Sequence, residues 1–72
     1  MSDRMERIGA MKTAAMRCMG CIDKLIEATQ LLHEGAGFYG DSGAVRKVVA
    51  AHDATGDAYD AILRAIEECA DE

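Results

Sequence analysis

Apolar residues recur along this chain at the spacing of two amphipathic helices. They return every three or four positions from residue 3 to residue 33, and the same spacing resumes from residue 43 to residue 70. Residues 34–42 interrupt the pattern, and glycine at positions 35, 37 and 40 suits a turn. The pattern predicts an all-α protein: one domain over residues 1–72, in which an antiparallel two-helix hairpin is closed by a glycine-rich loop.

Polar residues stand where each helix should begin. Ser2 or Asp3 can accept hydrogen bonds from the free amides of the first helix, and Asp41 or Ser42 can do so for the second. These residues therefore predict the two N-terminal caps.

A heptad repeat defines the seam between the two helices. Its a and d positions are Ile8, Met11, Ala15, Cys18, Ile22, Leu25, Thr29 and Leu32, then Val45, Val48, His52, Thr55, Tyr59, Ile62, Ile66 and Cys69. Such positions face the neighbouring helix in a coiled coil. His52 and Thr55 form a polar step, which can fix the register at some cost in stability.

The apolar arc is wider than contact with a single neighbouring helix requires. Val49 and Leu63 fall on one edge of the second seam, and alanines fill its other edge at positions 44, 51, 58 and 65. Pairing two hairpins into a four-helix bundle would cover these edges. We therefore predict a homodimer, whose pairing faces the sequence leaves open. Its predicted dimer and core residues are Ile8, Met11, Ile22, Leu25, Val45, Val48, Val49, Tyr59, Ile62, Leu63 and Ile66.

Composition places the chain among small helical proteins. Half of the 72 residues are apolar, alanine is abundant and proline is absent, which favours helix. No apolar run approaches the roughly 20 residues of a membrane span. Three cysteines, an odd number, fit reduced thiols better than a disulfide framework. A cytoplasmic location is the expectation.

The net charge of −5 comes from the second half of the chain. Asp53, Asp57 and Asp60 follow one another at helical spacing on the outer side of the second helix. Direct nucleic-acid binding is not expected without a basic surface. The aspartates are either a solvated face or an acidic stripe that meets a basic protein, such as a DNA-binding one.

Two segments match the sequence motifs of known binding sites but lack the secondary structure that those sites require. Gly35-x-Gly37-x-x-Gly40 matches a dinucleotide fingerprint, but that fingerprint follows a strand, and here a helix precedes it. Cys18-x-x-Cys21 lies in mid-helix, where small buried thiols are expected rather than a zinc or redox site. We predict no cofactor, no metal and no catalytic residues, hence no enzyme.

Exposed apolar residues are the candidate partner-binding positions. Phe38 and Tyr39 in the loop could anchor in a pocket of a partner, or they could fold back onto the end of the bundle. Met16, Met19 and Ile26 lie outside the first seam, and methionine adapts to irregular surfaces. With the three aspartates, these residues form the predicted binding set.

These observations predict a non-catalytic protein that occupies or inhibits a surface of another protein. In length, acidity and hairpin shape the chain is similar to small phage proteins that inhibit host regulators, for example quorum-sensing transcription factors, or defence complexes. It is also similar to the helical-hairpin chaperones of type III secretion. Two alternatives are a nucleotide-sequestering oligomer using the glycine loop with Arg46 and Lys47, and a purely structural oligomerisation module.

Overall fold

The protein is a hairpin of two antiparallel helices, confirming the predicted all-α fold. The computed structural model describes residues 3–71. Helix α1 spans Asp3–Gln30, a π-helical turn spans Leu31–Gly35, and helix α2 spans Gly43–Ala70. No strand occurs between residues 3 and 71. The predicted Ser2 cap, and the terminal residues of the predicted domain, lie outside the described residues.

The first helix ends differently from the sequence-based expectation. Its α-helical geometry stops at Gln30, and the chain continues to Gly35 in wider π-helical geometry instead of ending near residue 33. The amide of Ala36 donates to the carbonyl of Leu31 (3.1 Å). Gly37 then adopts a φ of +73°, a left-handed conformation that glycine adopts without steric cost. A glycine-rich turn after the first helix was predicted from the sequence, but the wider π-helical turn was not.

The second helix begins at a polar cap. Ser42 Oγ accepts a hydrogen bond from the amide of Ala44 (3.2 Å), and the Ser42 carbonyl accepts one from Arg46 (3.0 Å). Of the two residues expected to cap this helix, Ser42 performs the function. This cap satisfies an amide that would otherwise lack an intrahelical partner.

The seam between α1 and α2 follows the heptad assignment. Every a and d position in both helices is buried or partly buried, and the most enclosed are Ala15, Val45 and Cys69. The hydroxyls of Thr29 and Thr55 donate to carbonyls four residues earlier, at Leu25 and Ala51. The two seam threonines therefore have hydrogen-bond partners on their own helix.

A single layer of two helices leaves little interior. None of the described large side chains is fully buried. The Cα atoms span 54 × 16 × 11 Å with a radius of gyration of 16.2 Å, whereas a compact domain of this length has one of about 11 Å. The hairpin is therefore an extended rod whose side chains remain largely accessible.

Candidate protein-binding surfaces

One side of the hairpin carries large apolar side chains that the seam does not cover. We call it the apolar face and define it by Met5, Met16, Met19, Ile26, Val49 and Leu63. Their exposed fractions range from 38% at Leu63 to 74% at Met5. Except for Met16, they are heptad e positions, and in an antiparallel pair the e edges of the two helices lie on the same side of the seam.

The middle of the apolar face is an open groove between the helices. It has a volume of about 400 Å³ and is lined by Lys12, Ala15, Met16, Met19, Tyr59, Leu63 and Ile66. Lys12 is the single charged residue of this lining. A groove between helices with an apolar floor suits the side chains of another helix.

The opposite side is built from small side chains, and we call it the alanine face. It is defined by the heptad g positions Ala14, Cys21, Ala28, Ala44, Ala51, Ala58 and Ala65. A second groove, of about 500 Å³, opens near the chain ends on this side. Arg7 and Glu68 contribute to its lining. The two sides of the hairpin thus differ in side-chain size and in the position of their charges.

The loop presents two aromatic rings. Phe38 and Tyr39 remain 46% and 65% exposed. The Tyr39 ring stacks on His33, with ring centroids 6.1 Å apart and an angle of 19° between the planes. Tyr39 thus rests on the π-helical turn while most of its surface stays open; anchoring in a partner's pocket stays a prediction.

The His33 imidazole stacks against Tyr39 at the loop end of the hairpin. Its Nε2 atom is buried and has no hydrogen-bond partner among the described residues. The His33–Tyr39 contact could not be anticipated from spacing, since it depends on the π-helical turn and on the path of residues 36–39.

The acidic residues of α2 lie on its outer surface. Asp53, Asp57 and Asp60 are all exposed. Asp53 Oδ1 lies 3.5 Å from His52 Nδ1, a neighbour that the helical spacing did not predict. Asp57 and Asp60 point away from the seam at heptad positions f and b. The structure thus brings the aspartates near neither the loop aromatics nor the groove floor.

Two of the thiols are less buried than predicted. Cys21 is exposed and Cys18 is only partly buried, whereas both were expected to be buried. Cys21 occupies a g position, which lies outside the seam. Within residues 3–71, no group of three or more histidine, cysteine or acidic side chains is placed to hold a metal ion.

The Gly35-x-Gly37-x-x-Gly40 motif of the loop has a local structural role. Gly37 provides the left-handed turn, and Ser42 already occupies one amide at the start of α2. Neither helix of the described chain offers an apolar stretch that could cross a membrane. Comparisons with protein-family models, curated proteins and solved structures give no match to this chain.

Proposed function

We propose that this chain is a non-catalytic protein-binding module: a hairpin that self-associates into a four-helix bundle and occupies a surface of another protein. The observation that supports it is the apolar face, where six large side chains remain accessible beside a seam with almost no fully enclosed residues. Contiguous exposed apolar surface is typical of interaction sites. A basic or DNA-binding partner, and a cytoplasmic location consistent with three free thiols, form part of the proposal.

Surface area supports self-association. A compact protein of 7.7 kDa exposes about 4,300 Å², whereas this hairpin exposes 5275 Å². The excess is close to the roughly 800 Å² that each partner buries in an interface of standard size. One additional interface would therefore give the hairpin the surface of an ordinary compact protein.

The loop aromatics are the proposed contacts to the other protein. Phe38 and Tyr39 project from the end of the rod, at a distance from most of the apolar face, so they stay accessible when hairpins pair. Aromatic side chains bury large areas at small entropic cost, which makes them effective anchors. The exposed aspartates supply a complementary surface for Lys- or Arg-rich partners.

The test is co-purification of binding proteins with the tagged chain, compared across matched variants. The double variant Phe38→Ala/Tyr39→Ala should lose the retained partner, while Leu31→Ala, at an exposed apolar residue of the π-helical turn, should keep it. Partner retention that is unchanged by the loop variant, and also by charge reversal at Asp53, Asp57 and Asp60, would contradict the proposed surface.

The same preparation distinguishes the nucleotide-sequestering alternative. A protein-binding module should show no change in melting temperature with nucleotides. A clear rise in melting temperature with a nucleotide, lost in Arg46→Ala/Lys47→Ala, would instead support nucleotide sequestration by the loop and the start of α2.

A further inference from the structure

We infer that a second copy of this chain covers the apolar face, with α1 of each copy lying against α2 of the other. This inference rests on the proposed self-association and specifies which side of the hairpin is used. It leaves the alanine face on the outside of the bundle.

Side-chain size separates the two faces. Large side chains such as Met19, Ile26 and Leu63 lose the most apolar surface when a second layer covers them, and the stabilisation grows with the apolar area buried. Alanine has only a methyl group to bury. The hairpin's exposed area exceeds that of a compact protein by about one interface. The face with the larger side chains buries the most apolar area when that interface forms.

The apolar face is also complementary to itself. Gly56 lies on the same edge of α2 as Val49 and Leu63, and a Cβ atom built on it would meet nothing within 4 Å. It therefore leaves an open space between two large side chains. Met19, on the edge of α1, lines the groove together with Tyr59 and Leu63, so it lies within about one turn of the level of Gly56.

A twofold axis along the length of the hairpin uses this pattern twice. The axis preserves level and places α1 over α2, so Met19 of each copy projects into the space above Gly56 of the other. Isologous interfaces require such self-complementary patches. Lys12, the charged residue of the groove, lies close to the level of Ile66, so it comes within reach of the other copy's exposed Glu67, which supplies charge complementarity at the rim.

This arrangement places both loops at the same end of the bundle. Two copies of Phe38 and Tyr39 then lie side by side, so a partner protein meets one surface of four aromatic rings. The alternative twofold axis, across the hairpin, separates the loops by about the 54 Å length of the rod.

The face is tested by the mass in solution of two matched variants, measured by light scattering. We expect the wild type at twice 7.7 kDa, Met19→Glu/Leu63→Glu at the single mass with helical circular dichroism retained, and Ala51→Glu/Ala58→Glu still at twice the mass. Dimers that survive in the first variant, or are lost only in the second, would overturn the inference while leaving self-association intact. A monomeric wild type would overturn the self-association on which it rests.

The arrangement is tested without altering the face, which covers the case in which a glutamate variant fails to fold. A spin label at Gly40→Cys, in a chain whose native cysteines are alanine, reports the loop-to-loop distance by double electron–electron resonance. Loops at one end should lie within roughly 20 Å, about two helix spacings. A distance near 54 Å would show that the loops are at opposite ends and refute the proposed pairing.

Discussion

The apolar face and the alanine face are the two sides of one seam, and the helices that build them are of equal length. On one side Met19, Ile26 and Leu63 project from the seam edges; on the other, Ala51 and Ala58 barely extend beyond the backbone. The a and d residues of the seam lie between the two faces and belong to neither. The difference between the faces teaches that the residues which hold this hairpin together are distinct from the large apolar residues which remain exposed.

The largest expected effect separates the seam from the apolar face. Val45 is 3% exposed and Val49 is 44% exposed, although both belong to the first half of α2. Val45→Asp should abolish cooperative folding, because an unpaired charge within the seam costs several kcal/mol and small domains have little stability to lose. Circular dichroism at 222 nm measures this loss.

Val49→Asp is the matched control. In dilute solution it should keep the helical signal, since its side chain remains in water. Equal loss of helix in both variants would break the distinction between seam and face.

The next effect compares two of the three thiols, one at a face and one in the seam. Cys21 lies exposed at the alanine face, while Cys69 is buried in the seam. Under native conditions Cys21 should react with a thiol reagent at least about tenfold faster than Cys69, because a buried thiol reacts only after local opening. Mass spectrometry of the labelled chain identifies each site. If Cys21 became protected as the protein concentration rises, the alanine face would be the one that is covered.

A smaller effect comes from glycine in the helices. A Cβ at Gly20 or Gly56 meets nothing within 4 Å, so replacement by alanine should raise the free energy of unfolding by about 1 kcal/mol through helix propensity. Urea denaturation of Gly20→Ala measures this gain.

The same change at Gly56 sharpens the comparison of faces. Gly56→Ala should match Gly20→Ala at low concentration, and should gain less at high concentration, where Met19 of a second copy competes for the space. Identical gains at every concentration would argue against contact at Gly56.

The smallest effect lies on the outer surface, away from both faces. Lys24 and Glu27 form an ion pair at 3.4 Å, with both side chains largely exposed. Lys24→Gln should lower the free energy of unfolding by only about 0.3 kcal/mol, since exposed pairs of this spacing contribute little. Urea denaturation in low and high salt provides the measurement. A loss above 1 kcal/mol would mean that this surface is covered.

Spacing alone was enough to predict the hairpin and its seam. Residues such as Val45, Ile62 and Cys69 fall on one side of a helix whatever their surroundings, so periodicity predicts their burial. The same reasoning left Val49 and Leu63 outside the seam, where the structure has them.

Features that depend on side-chain conformation were not predictable. The His52–Asp53 contact joins adjacent residues, which heptad counting treats as pointing apart. The stacking of Tyr39 on His33 requires a π-helical turn followed by the left-handed conformation of Gly37. The burial of Cys21 was predicted wrongly: it neighbours Cys18 on the helix surface, but it lies at the g edge, where the second helix no longer covers it.

The antiparallel course of the helices has a practical consequence. Asp3 and Asp71 lie at the end of the rod opposite Phe38 and Tyr39, as the groove that joins Arg7 to Cys69 shows. The rod is 54 Å long, so a surface tether attached close to Asp3 or Asp71 lies at the end remote from the loop aromatics. Immobilisation at that end would leave the proposed contact residues Phe38 and Tyr39 facing solution.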